Sequence, residues 1–106
     1  MTTVECKRTN EKITAFTVSG HSGYAKEGED IVCASVSAVV WNTANGLLEV
    51  TKLPAKVENR DGYVSCILPP LSEKEREKAD LLLESMLRFM QELSGQYQEF
   101  VKVMEV

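Results

Sequence analysis

The sequence is poor in several features that would betray a small protein's trade. Its 106 residues include one histidine, one tryptophan, three prolines and three cysteines. The cysteines, at positions 6, 33 and 66, are odd in number and far apart, and no CxxC pair is present. That excludes a disulfide framework and a zinc ribbon, and no metal or other cofactor is expected. Basic charge is also scarce: 12 Lys and Arg against 16 Asp and Glu give a net charge of −4, with no basic cluster longer than Lys7-Arg8. A nucleic-acid binder would show a basic patch to neutralise phosphates, so no direct nucleic-acid contact is expected. The opening residues, MTTVECKRTN, lack an apolar signal segment, which predicts a cytoplasmic chain with free thiols. Internal repeats, linkers and low-complexity tracts are missing too, so residues 1–106 read as one domain.

One long apolar run is present, and it dominates the chain. Residues 31–48 carry no charge, which meets the crude length criterion for a membrane span. Ser35, Ser37, Asn42, Thr43, Asn45 and Gly46 interrupt it, however, and acidic residues flank both ends. The expectation is a central helix of a soluble protein, covered on several sides, with no membrane involved. Periodicity alone leaves IVCASVSAVV open to a strand; the length of the run and Asp30 as an N-cap decide for a helix from Ile31. It should fray near Gly46 to Val50.

The rest of the chain reads as scaffold. Thr2 to Lys7 alternates, with Val4 and Cys6 on one face, and Ile13 to Ser19 is a second strand with Phe16 and Val18 together. Ala55 to Asn59 and Tyr63 to Leu68 are strands joined through Asp61-Gly62, a hairpin signal. Ser72 and Glu75 form a capping box for a helix striped by Ala79, Leu82, Leu83, Met86, Leu87, Met90 and Leu93. Glu84, Arg88 and Glu92 lie opposite at helical spacing, Gly95 is a plausible stop, and Phe100 to Val106 is a last strand. The order is ββαββαβ: an α+β fold with two helices packed on a mixed sheet.

Chemistry concentrates between Gly20 and Asn45. Gly20 ends the second strand and sets His21 at its carboxyl end; a polar loop with Gly23 and Gly28 follows, and Asp30 opens the helix that carries Cys33 in its first turn. An unperturbed thiol is only a few per cent thiolate at neutral pH. A helix start and a nearby imidazolium both favour the anion. His21 could then take the Cys33 proton and later protonate a leaving amine. The bland alternatives are a small buried hydrophobe for Cys33 and a partly exposed loop residue for His21. Asp30 reads first as a cap that fixes the turn presenting Cys33. Ser37, one turn on, could support the site or simply pack. Glu27 and Glu29 read as solvated loop charges, Cys6 and Cys66 as structural, and Trp41 and Asn45 as packing and polar-core residues.

Gly20-His21, Asp30-Ile31-Val32-Cys33-Ala34 and Val36-Ser37, with the glycine-containing loop between, resemble the Prp family of ribosomal-processing cysteine proteases. The likeness extends over essentially the whole chain; Ser22 departs from it, since the family often has Ala there. The resemblance implies a Cys–His endopeptidase that removes an N-terminal extension from the bacterial large-subunit ribosomal protein L twenty-seven, cutting after an aromatic residue. It implies Cys33 as nucleophile, His21 as base, and Asp30 and Ser37 as supporting residues. It also implies a substrate-gating loop involving Gly20, Ser22, Gly23 and Gly28, and a homodimer. A non-catalytic, ribosome-associated peptide-binding or assembly factor is the alternative, and a thiol redox sensor ranks last, for want of a resolving cysteine nearby.

Overall fold

The computed structural model describes residues 1–26 and 29–106. The chain runs β1 (Thr2–Thr9), β2 (Lys12–Ser19), α1 (Ile31–Asn45), β3 (Lys56–Arg60), β4 (Tyr63–Ile67), α2 (Glu73–Gln96) and β5 (Val101–Glu105). The five strands form one sheet in the order β3-β4-β2-β1-β5. β1 pairs β5 in parallel while the other neighbours are antiparallel, so the sheet is mixed as the sequence predicts. Alternation does its work here: Val4, Cys6, Phe16, Val18 and Cys66 point into one core cluster with residues of both helices.

α2 forms as its stripe dictates. Ser72 Oγ accepts from the Glu75 amide at 3.3 Å and Glu75 returns the bond to the Ser72 amide at 3.0 Å, the reciprocal capping box. Ala79, Leu83, Met86, Leu87, Met90 and Leu93 are buried, and Leu82 is partly so. Glu84 does not pair along the helix with Arg88. It reaches Arg8 instead, Nη1 to Oε1 at 2.6 Å, while Arg8 Nε holds Glu105 at 2.7 Å, tying β1, β5 and α2 together. The helix also passes Gly95 and ends at Gln96, where the Tyr97 amide donates to the Leu93 carbonyl.

α1 departs from expectation in two ways. Val32, Val36 and Val40 sit in the core, but Ile31 is 55% exposed and Trp41 37% exposed, and Ala34, Ala38 and Asn45 also face solvent. A two-layer fold covers a helix on one side only, so neither Trp41 nor Asn45 is a core residue. Its end does not fray either. Gly46–Val50 continues as a widened π-helical turn, with the Thr51 amide and hydroxyl both donating to the Gly46 carbonyl. A Cβ at Gly46 would stand 3.1 Å from Leu82 Cδ1, so the wide turn lies hard against α2.

Candidate active site

Asp30 organises the site. Its Oδ1 accepts from the Cys33 amide at 2.9 Å, capping α1 and fixing the turn that bears the thiol. Its Oδ2 accepts from the Ser22 hydroxyl and, at 3.5 Å, from the Ala25 amide. Ser22 Oγ takes a further bond from the Tyr24 amide at 3.2 Å, and the Ser22 amide donates to Cys33 Sγ at 3.1 Å. The segment after His21 is therefore folded back onto the helix start. Ser22 is 2% exposed, so the near end of the expected gating loop is pinned. Burial pushes the Asp30 carboxyl up, but hydrogen bonds from Ser22, from the Cys33 and Ala25 amides and from the Cys33 side chain outweigh it. Together they hold the carboxyl at about 2.

That depression has a sign. A carboxylate held below its ordinary value of 3.8 stabilises the fold above that pH, and the contribution is lost as pH falls through about 2. Asp30→Ala removes the cap and the Ser22 acceptor together, so the variant should be less stable at neutral pH by about 2 kcal/mol. Its stability should then change less than the parent's between those two pH values, which thermal melts across the range will read. Equal acid limbs in the two proteins would refute the role given to Asp30.

His21 stands across the cleft. Gly20, with φ +83°, turns the chain, and a Cβ there would collide with the Met1 carbonyl oxygen. The imidazole is exposed and leans on the β3–β4 turn: a Cβ built on Gly62 (φ +68°) would lie 3.3 Å from its Nε2. Among the described residues no hydrogen bond joins His21 to Cys33, although both line the same two cavities.

Two cavities, of about 490 and 470 Å³, share His21, Cys33 and Ser37. One runs along α1 past Trp41 to the hairpin residues 59–64; the other passes Gly23, Ala25, Asp30 and Ala34. Ser37 is exposed at their junction. Glu29 is exposed, with Lys26 Nζ 3.8 Å from it; Glu27 and Gly28 lie outside the described residues.

Sequence reasoning missed several participants. Asp61-Gly62 was legible as a turn, but nothing local said that it would support His21. Tyr24 packs edge-on against Tyr97 and Phe100, with ring centroids 5.5 and 5.3 Å apart. Each such pair contributes about 0.5–1.5 kcal/mol, clamping the His–Cys connection to the far end of the chain. Trp41 and Thr2 line the first cavity. A stripe of apolar residues left over on α1 could have pointed to Trp41.

Cys33 is partly exposed; the other two thiols are not. Cys6 and Cys66 are buried, and burial pushes both up to about 11, with Glu105 adding to the effect at Cys6. Iodoacetamide at neutral pH is expected to label one cysteine of the folded protein, Cys33, and three after denaturation. Mass spectrometry reads the count, and rapid labelling of Cys6 or Cys66 in the native state would contradict it.

Nucleophilic attack on a bound peptide is the chemistry this geometry suits, and the class it defines is that of the cysteine peptidases. Comparison with known proteins carries the assignment further. Residues 1–102 match the family described as Cysteine protease Prp, and the chain belongs to that family. It is similar to the ribosomal processing cysteine protease Prp of Bacillus subtilis, 30% identical over 101 residues that cover 92% of this chain and 90% of that protein. Among solved structures, the essential ribosomal processing protease Prp from Staphylococcus aureus with a covalently linked product peptide superposes with a TM-score of 0.90. It shares 27% identity and both chains are covered in full. The same protease with a substrate peptide gives 0.84 at 26% identity, again over both whole chains.

Proposed function

We propose that residues 1–106 act as one protease domain that removes the N-terminal extension of the ribosomal protein L twenty-seven by Cys–His catalysis. The observation that carries this reading is the meeting of two cavities at Cys33 and His21, which lets a peptide run through with its scissile bond at the thiol. Relatives named as ribosomal processing proteases, one of them with a product peptide covalently linked, support it. Cys33 Sγ attacks the carbonyl carbon as His21 takes the thiol proton. The carbon–nitrogen bond then breaks, and the proton passes to the leaving amine. Water, activated by the same imidazole, releases the acyl group and returns the thiol. Acyl transfer to sulfur needs no metal or cofactor.

Asp30 and Ser22 act as positioning residues, and Ser37 supports the junction. Gly20 and Ser22 anchor the substrate-gating loop, and the remainder of it shifts to admit substrate. The bare stripe Ile31, Ala34, Ala38 and Trp41 on α1 favours a homodimer, since contiguous apolar surface seeks a partner. The net charge of −4 disfavours a direct hold on nucleic acid, and the reading places the enzyme in the cytoplasm, off the membrane.

The test is incubation with a synthetic peptide spanning the extension junction. Cleavage at a single bond, reported by mass spectrometry, is the expected result. Tight binding without turnover would instead support a non-catalytic assembly factor.

A further inference from the structure

The cavity that runs from Cys33 along α1 contains a residue the catalytic scheme leaves idle. Thr2 lines it and is only 2% exposed. Its Oγ1 is the only buried side-chain polar atom without a hydrogen-bond partner among the described residues. β1 buries three residues in alternation, Thr2, Val4 and Cys6. Val4 and Cys6 fill the core; Thr2 is the one at the cleft end, where the register Thr3↔Ser19 sets it beside Gly20 and next to His21. A valine would fill that position as well and leave no hydroxyl unmatched, so packing does not account for the threonine.

The surroundings say what could match it. Val18, Val36 and Val64 give the cavity apolar walls. Apart from His21 and Cys33, where the two cavities meet, its charged residues are Arg60 and Asp61, opposite in sign and exposed on the hairpin at the rim, with the Arg60 guanidinium 4.3 Å above the Tyr63 ring. A charged side chain reaching the valine-lined depth would give up its hydration without meeting a counter-ion. A purely apolar one would leave the hydroxyl orphaned.

We propose that Thr2 is the specificity-determining residue of a substrate subsite in this cavity, one that takes a neutral side chain with an apolar stem and a hydrogen-bonding end, an amide or a phenol. The inference rests on the peptidase reading and adds which side chain the cleft selects. The stem lies along the valines, and the end group reaches the Thr2 hydroxyl, which can donate or accept, as the wall that now seals it parts around the incoming side chain.

Fluorogenic peptides varied one position at a time around the cleaved bond test it, with Gln set against Met and Tyr against Phe. At one position the protein should favour the hydrogen-bonding member of the pair by about tenfold in kcat/KM. Thr2→Val should bring that ratio to about one, and Thr2→Ser should restore it. The same ratio measured as binding affinity on Cys33→Ala protein keeps the two readings apart. Preferential binding there, with no cleavage by the parent, would leave the subsite standing and remove the mechanism. No preference at any position in the parent, or a preference that survives in Thr2→Val, overturns the subsite even while cleavage continues.

Discussion

Replacing Cys33 with alanine should abolish cleavage of the junction peptide, lowering its rate by about 10⁴-fold or more. The reasoning is positional. Cys33 lies in the first turn of α1, reaches both cavities, and receives the Ser22 amide at its sulfur. Neither Cys6 nor Cys66 can substitute, since both are sealed in the core. The fold should survive the change, because Cys33 is only partly buried and the Asp30 cap acts on its backbone amide. A melting temperature within a few degrees of the parent's is the check that loss of activity is chemical. Rapid quenching of the parent should also trap a peptide fragment bonded to Cys33, visible by mass. Should parent and variant cleave alike, the nucleophile lies elsewhere.

His21→Ala should reduce kcat by about 10²–10⁴-fold while KM moves little, the split expected of a group that handles a proton rather than one that grips the peptide. Its present posture sharpens the prediction. The ring rests on the Gly62 turn, and no hydrogen bond to the sulfur is present among the described residues, so a catalytic His21 would have to turn towards Cys33 as substrate settles. A variant that kept the parent's kcat would remove His21 from the reaction. If that variant also kept peroxide reactivity at Cys33 while the parent cut no peptide, a redox role would replace the peptidase.

The sequence made the framework legible because each element advertises itself locally. Alternation marked β1 and β2, the capping box marked α2, and Asp30 marked the start of α1; all are where the pattern put them, with ends moved by a residue or two. What local pattern does not encode is who meets whom across the sheet. Glu84 had Arg88 as its nearest basic neighbour on the helix, yet bonds Arg8, seventy-six positions away. Trp41 read as filling because it is large and apolar, but one layer of strands leaves the far side of α1 uncovered. At the site, His21, Asp30 and Cys33 were readable as a spaced set. Ser22 read as a departure from the resemblance and as part of a gating loop, whereas its hydroxyl and amide bond Asp30 and Cys33. Thr2 was readable only as a strand residue and Asp61-Gly62 only as a turn; nothing local placed either at the cleft, since only register and folding bring them there.

The packing of the Met1 carbonyl against Gly20 has a practical side. Anything joined ahead of Met1, a purification handle included, emerges at the lip of the cleft, one residue from the imidazole. Such a fusion would sit where a peptide enters and could pass for a weak competitive inhibitor in a kinetic assay. Val106 is exposed and follows β5 at the edge of the sheet, so a handle for affinity capture belongs at that end.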